Sequence, residues 1–291
     1  MICISGASGT LGREVLRQLQ SVAPVRATFF SSGGAEAARA SGIDAVQIDY
    51  NRPDSLRTAF NGCDRLFLLG PNAINQVELE LNAIEAAKAA GVAHIVKQSV
   101  MAADDQAYTL AKIHREAEKA IESSGLRWTF LRPNSFMQNA VTFMSPSIQA
   151  ESAFYSASDN AKISHVDVRD IAAVAVKALT EPAHEGKAYT LTGPQAMSYD
   201  DLAAELSRVV GRTIRHVNLS PDDLKAGMLG AGTPEPIVER LLDLERFFRE
   251  GHASVVTNDI KKVTGKSPTS YAQYLRDIAP TGIWNAAPAT T

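Results

Sequence analysis

The stretch Gly6-Ala7-Ser8-Gly9-Thr10-Leu11-Gly12 constrains the fold more than any other part of the chain. It follows Met1 to Ser5, an apolar run of strand length, and opens a helical pattern carried by Val15, Leu16 and Leu19. Glycines at this junction permit a tight turn, a backbone that a ligand can approach, and close packing of helix on strand. The helix N-terminus adds N–H donors and the positive end of a dipole, the combination that holds a pyrophosphate. We therefore expect Gly6, Ala7, Ser8, Gly9, Thr10, Leu11 and Gly12 to cradle a dinucleotide. An ordinary Gly-rich turn is the plainer alternative; the strand before and the helix after favour the ligand.

The alternation continues. Strand-length runs at Val25 to Phe30, Ala45 to Ile48, Arg65 to Leu69, Val92 to Ser99 and Trp128 to Leu131 are interleaved with helical patterns at Ser55 to Phe60, Val77 to Ala90 and Tyr108 to Ser124. Strands alternating with helices predict an α/β fold, a Rossmann-type doubly wound parallel sheet. After Arg132-Pro133-Asn134 the rhythm breaks, and a smaller, mostly helical C-terminal substrate domain is expected. The expected division is 1–134 plus about 162–194 for the nucleotide-binding domain, 135–161 and 195–284 for the substrate and lid region, and 285–291 as a flexible tail.

Composition excludes several classes. The chain has 291 residues, and 29 Lys and Arg against 32 Asp and Glu leave a net charge of −3, so no basic footprint for nucleic acid exists. Two cysteines, Cys3 and Cys63, are too few for a disulfide scaffold. No pair of His, Cys, Asp or Glu shows metal-ligand spacing, so no metal is expected. No secretory signal and no membrane-length apolar run is seen, and the chain reads as a cytoplasmic monomer or homodimer.

The Gly-x-x-Gly-x-x-Gly spacing resembles that of the extended and atypical short-chain dehydrogenase/reductases. Further stretches carry the resemblance: Asp49-Tyr50, Leu68-Leu69-Gly70-Pro71, His94 to Ser99, Leu131-Arg132-Pro133-Asn134, and Val166 to Ala172. Together they are most similar to the NmrA-like branch, which includes quinone oxidoreductases, azo and triphenylmethane-dye reductases, and non-catalytic redox sensors. The resemblance implies that Asp49 and Tyr50 meet the adenine side, that Leu69, Gly70 and Pro71 border the cofactor, and that Ser99, Pro133 and Asn134 lie beside the nicotinamide.

Cofactor choice is read after the second strand. An acid there favours NAD, and an arginine pairs with the 2′-phosphate of NADP. Phe30, Ser31 and Ser32 are neither, whereas many NmrA-like relatives carry arginine where Phe30 falls. With no acid to repel a phosphate, the reading tilts to NADP(H), with NAD(H) also open; Arg13 is a further candidate for the phosphate.

Short-chain dehydrogenases usually carry Tyr-x-x-x-Lys, a proton donor and its activating lysine. Aligned on Glu118, this chain has Leu110 at the tyrosine position and His114 at the lysine position. Tyr108 and Lys112 are out of register. Without a positioned tyrosine, reduction of an electron-poor acceptor such as a quinone, azo bond or cationic dye is the least demanding chemistry. His114 and Glu118 are the catalytic candidates, with Glu118 at i+4 orienting the imidazole; an ordinary helix-face pair is the alternative. Gln98, Phe136, Met137 and Phe143 are the substrate candidates, the last three with Met144 lining one helix face for a small aromatic or conjugated acceptor. Plain core is the other reading of that face. A non-catalytic NAD(P)-sensing regulator and a reductase of a specific imine or enone metabolite stay open as alternatives.

Overall fold

A computed structural model describes residues 1–286; of the tail expected from Asn285, residues 287–291 lie outside the described residues. Along the chain β1 (Ile2–Ile4), α1 (Thr10–Leu19), β2 (Val25–Phe29), α2 (Ser32–Ala40), β3 (Asp44–Gln47), α3 (Pro53–Phe60), β4 (Arg65–Leu68), α4 (Gln76–Ala89), β5 (His94–Gln98), α5 (Thr109–Ser123) and β6 (Arg127–Pro133) alternate strictly. There follow α6 (Asn139–Thr142), α7 (Ser145–Glu151), β7 (Ala153–Ser156), α8 (Val168–Thr180), β8 (Lys187–Leu191), α9 (Tyr199–Val210), β9 (Arg215–Asn218), α10 (Pro221–Gly230), α11 (Glu235–Arg249), α12 (Asp259–Thr264) and α13 (Tyr271–Ile278).

Seven strands form one sheet in the order β3-β2-β1-β4-β5-β6-β8, every neighbouring pair parallel. The order reverses at β1, and ligands of doubly wound sheets bind outside the carboxyl ends of the strands at such a switch point. Strands buried on both faces read as continuous apolar runs. Accordingly Ile4, Leu66, Phe67, Leu68, Ile95 and Val96 are all fully inaccessible. One face is covered by α3, α4 and α5, whose Leu56, Phe60, Ala83, Ile84, Ala117 and Ile121 pack with Cys3, Leu66 and Phe130. Burial of each large side chain contributes about 1.5–3 kcal/mol. On the other face α1 packs against α8. Cys3 and Cys63 are buried free thiols.

The chain divides into two compact units. The sheet unit comprises Met1–Pro133, Val168–Leu191 and Asp259–Gly265. It therefore includes α12, which the sequence reading places in the substrate region; the Asp259 carboxylate accepts the Thr190 N–H at 3.0 Å and ties α12 to β8. The second unit comprises 134–167, 192–258 and the remainder from Lys266. It holds a two-stranded parallel sheet of β7 and β9, against which α7 and α9 pack. Trp284, almost wholly buried, donates its indole N–H to Ala140 O at 3.0 Å. Asn285 donates its N–H to Gly282 O at 2.9 Å.

Two local features depart from expectation. The apolar pattern announces no helix between β2 and β3, yet α2 is there. Ser31 caps it, its Oγ accepting the Gly34 N–H at 3.2 Å, and Ala35 and Ala38 bury its inner face. Small alanines give a weak periodic signal, so the cap and the packing carry this helix. The face expected from Phe136 through Met144 does not form. A turn precedes α6, and α7 restarts at Ser145-Pro146, proline being suited to a first helical turn. Met137 is buried while Phe143 is 72 % exposed, so the two share no face. Among the described residues no helix is long and apolar enough to cross a membrane.

Candidate functional site

The loop after β1 is built by absent side chains. Gly6 has φ +67°, a left-handed conformation that favours glycine. A Cβ on Gly12 would lie 2.1 Å from Gly6 O, so only glycine lets α1 approach the loop this closely. Gly9 is the N-cap of α1 and supplies no side-chain cap. The first-turn N–H groups of a helix have no intrahelical partners. Beside them Ser8, Gly9 and Thr10 are exposed, while Ala7 and Leu11 are buried. Donors without a cap, a positive dipole end and no Cβ in the way fit a pyrophosphate.

Two residues steady the neighbouring turn at the end of β4. The Tyr50 hydroxyl donates to Leu69 O at 2.6 Å. Ser5 Oγ accepts the Leu69 N–H at 2.7 Å, binding β1 to β4 where the loop begins. Tyr50 is thus a buried support of the Leu69-Gly70-Pro71 turn, which is itself partly open. Asp49 is half-buried, and its Oδ1 accepts the Asn51 N–H at 2.9 Å. Phe30 is 73 % exposed, and Ser31 and Ser32 stand at the N-terminus of α2. Arg13 is exposed in the first turn of α1.

At the end of β5 two buried polar clusters lie side by side. In one, Glu118 accepts both Arg132 Nε at 3.0 Å and Arg132 Nη2 at 2.8 Å, a bidentate pair. Ser99 Oγ donates to the same carboxylate at 2.7 Å, and Arg115 Nη1 at 3.1 Å. Asp104 holds the third nitrogen of Arg132 at 2.8 Å. In the other, Lys97 ion-pairs with Glu80, and His114 stands beside them. Burial, reinforced by the Lys97 charge, lowers the His114 pKa to about 4. Burial acts to raise the Glu80 pKa, but Lys97 and His114 opposite it bring it below the usual carboxylate value.

This arrangement corrects the expected pairing of His114 with Glu118. The carboxylate is taken by Arg132, Ser99 and Arg115, and the imidazole by Lys97 and Gln76. Their shared helix face places them in neighbouring networks without joining them. Tyr108 caps α5 and donates its hydroxyl to Met101 O at 3.3 Å, and Lys112 is exposed. Gln98 Nε2 donates to Ser99 O at 2.7 Å. Lys97, Glu80 and Arg132 escaped the sequence reading as site residues. The available signal was an ionisable residue inside an apolar strand or an Ala-rich helix, since such groups are buried only when paired.

In the second unit, Asn134 donates Nδ2 to Ser164 Oγ at 2.9 Å and to Ala253 O at 2.8 Å, a structural clasp. Phe136 bridges to Val166. Met137 accepts the Tyr271 hydroxyl on its carbonyl at 3.2 Å and belongs to this unit's core. Of the apolar substrate candidates, Phe143 is the one held out to solvent. Pro133 ends β6 in the sheet unit, paired with Leu191. Ser156, His216 and Asp200 form a serine–histidine–aspartate chain with two 2.8 Å contacts. Ser156 is only 3 % exposed, within a strand, so this chain braces β7 against β9 and α9 and offers no nucleophile. Among the described residues no group of three His, Cys, Asp or Glu side chains could hold a metal.

Comparison with known proteins agrees with this geometry. The pattern of the NmrA-like family matches residues 1–275. The NAD(P)H azoreductase of Xenophilus azovorans is 35 % identical over 278 residues, 95 % of this chain and 97 % of that protein. The crystal structure of the NADPH-dependent quinone oxidoreductase of Escherichia coli with NADPH superposes with a TM-score of 0.87 at 31 % identity, covering 96 % of this chain and 100 % of that one. The triphenylmethane reductase of Citrobacter sp., complexed with NADP(H), gives a TM-score of 0.83 at 28 % identity over 95 % and 99 % of the two chains.

Proposed function

The chain belongs to the NmrA-like family, and from that premise we propose that it is an NAD(P)H-dependent reductase of flat conjugated acceptors: quinones, azo compounds or dyes. When bound, the nicotinamide supplies a hydride. The residues of this chain orient the cofactor and leave room for the acceptor. The observation that carries the reading is the pairing of an open phosphate loop with a proton-donor position occupied by Leu110. A ketone needs a proton delivered to its alkoxide as it forms. A quinone or azo bond yields a delocalised anion that takes its proton from water. The relatives that act on azo compounds, quinones and triphenylmethane dyes support the same acceptor class.

For the cofactor we favour NADP(H). No acid lies between Phe29 and Gly34, and the N-terminus of α2 begins there, where free N–H groups and the helix dipole attract a phosphate. Exposed Arg13 adds a positive charge in the neighbouring helix. Gln98 is the proposed acceptor contact in the sheet unit. The test is oxidation of NADPH and NADH by the pure protein with a panel of quinones, azo dyes and triphenylmethane dyes. Turnover with a higher kcat/KM for NADPH supports the reading. Tight NADPH binding with no oxidation across the panel overturns it in favour of a regulator.

A further inference from the structure

Three side chains that ordinarily carry or accept charge are buried together between β5, α4 and α5. Lys97 and Glu80 are wholly inaccessible and His114 is 4 % exposed. The Lys97 ammonium has three protons and no acceptor. It ion-pairs with Glu80, meets Gln98 O at 3.2 Å and meets His114 Nδ1 at 3.4 Å. All three neighbours must therefore accept. The second Glu80 oxygen takes the Gln76 amide N–H at 3.0 Å, and that amide nitrogen also lies 3.4 Å from His114 Nε2. Turning the amide would set its oxygen against the carboxylate. Two donors thus face the two ring nitrogens, but a neutral imidazole accepts at only one. The ammonium is the stronger donor and takes that nitrogen.

We infer that Lys97, anchored by Glu80, is a positioning residue that fixes His114 as the neutral Nε2–H tautomer. The site is thereby given a permanent hydrogen-bond donor in place of an acid or base. The charged groups facing the ring are Lys97 from β5, Glu80 from α4 and Glu118 one turn further along α5. Burial and the Lys97 charge keep the ring unprotonated through neutral pH. The Nε2–H faces another donor, Gln76, so an oxygen brought by a ligand completes it. The cluster abuts the turn after β4: a Cβ on Gly70 would lie 1.9 Å from Glu80 Oε1. Only the identity of that oxygen, a hydroxyl on the nicotinamide ribose, rests on the reductase reading.

The test is ¹⁵N NMR of the histidine ring nitrogens in the full chain, with and without NADP⁺, joined to steady-state kinetics. His114 is expected as Nε2–H, with Nδ1 in the acceptor range, unchanged from about pH 5.5 to 8.5. Lys97→Met alone strands a buried carboxylate and is expected to unfold the chain, so the working variant is the neutral double substitution Lys97→Met with Glu80→Gln. In it the tautomer is expected to become mixed, and the KM for NADPH to rise about tenfold with kcat within about twofold. An Nδ1–H ring in the unmodified protein overturns the inference. So does a tautomer unmoved in the double variant, or one that moves with no change in KM. A wild-type protein that turns over no acceptor overturns the reductase reading and leaves the tautomer result standing, because the spectrum needs no acceptor.

Discussion

The ends of β1 and β5 are parts of one parallel sheet, yet they are built on opposite principles. At β1 the useful groups are backbone N–H donors, and the sequence serves them by omitting side chains at Gly6, Gly9 and Gly12. At β5 the useful groups are side chains, and Lys97, Glu80, His114, Glu118 and Arg132 are charged or titratable groups held inside the protein. The first arrangement tolerates no added carbon at Gly12 but is indifferent to pH. The second can tolerate changes of shape but not the loss of a partner, because an uncompensated buried charge is costly.

The largest effect is expected of acid, which acts on buried histidines, His114 at the β5 end among them, and on nothing in the β1 loop. His94, His114 and His165 each have a pKa lowered to about 4, in every case chiefly by burial. The unfolded chain binds these protons near its ordinary histidine value and the folded chain does not. Stability is therefore complete above about pH 6.5 and falls as the pH drops toward 4, by about 1.4 kcal/mol per pH unit for each histidine at most. Urea midpoints at neutral and mildly acid pH measure this. A flat profile across that window would break the contrast.

Glu118→Ala comes next. It leaves Arg132 buried without its bidentate partner and is expected to cost about 3–5 kcal/mol in urea unfolding. A loss under about 1 kcal/mol would mean that water reaches the guanidinium. At the other end of the contrast, Gly12→Ala sets a carbon against Gly6 O. It is expected to cost about 1–3 kcal/mol and to weaken NADPH binding at least about tenfold in a fluorescence titration. Weakened binding with full stability would sharpen the division between a site made of backbone and a core made of charge. The smallest effect is expected of Ser31→Ala. Loss of the α2 cap is expected to cost about 1 kcal/mol, and to narrow the proposed preference for NADPH, read as the ratio of kcat/KM for the two cofactors.

The glycine loop was legible because all its parts lie within seven consecutive residues and its chemistry is that of the backbone. The sheet was legible for a similar reason, since short apolar runs such as Ile2–Ile4 and Leu66 to Leu68 recur between helical patterns. Helix α2 was not, because alanines give little periodic contrast and a single serine cap starts it. The joint face of Met137 and Phe143 was misread because spacing alone does not show where a helix breaks, and Pro146 begins a new one.

The sequence by itself therefore determined the α/β alternation, the glycine loop between β1 and α1, and the missing tyrosine at Leu110. Each is a local property, written in adjacent residues or in one helical turn. Only the tertiary structure decided that Glu118 answers to Arg132 and His114 to Lys97. Glu118 and His114 sit four residues apart on one helix, and either pairing suits their spacing. The choice is made by β5, β6 and α4, whose polar and charged groups Lys97, Arg132 and Gln76 reach the helix from 14 to 38 residues away. Burial makes that choice binding, because inside the sheet every charge has to find a partner.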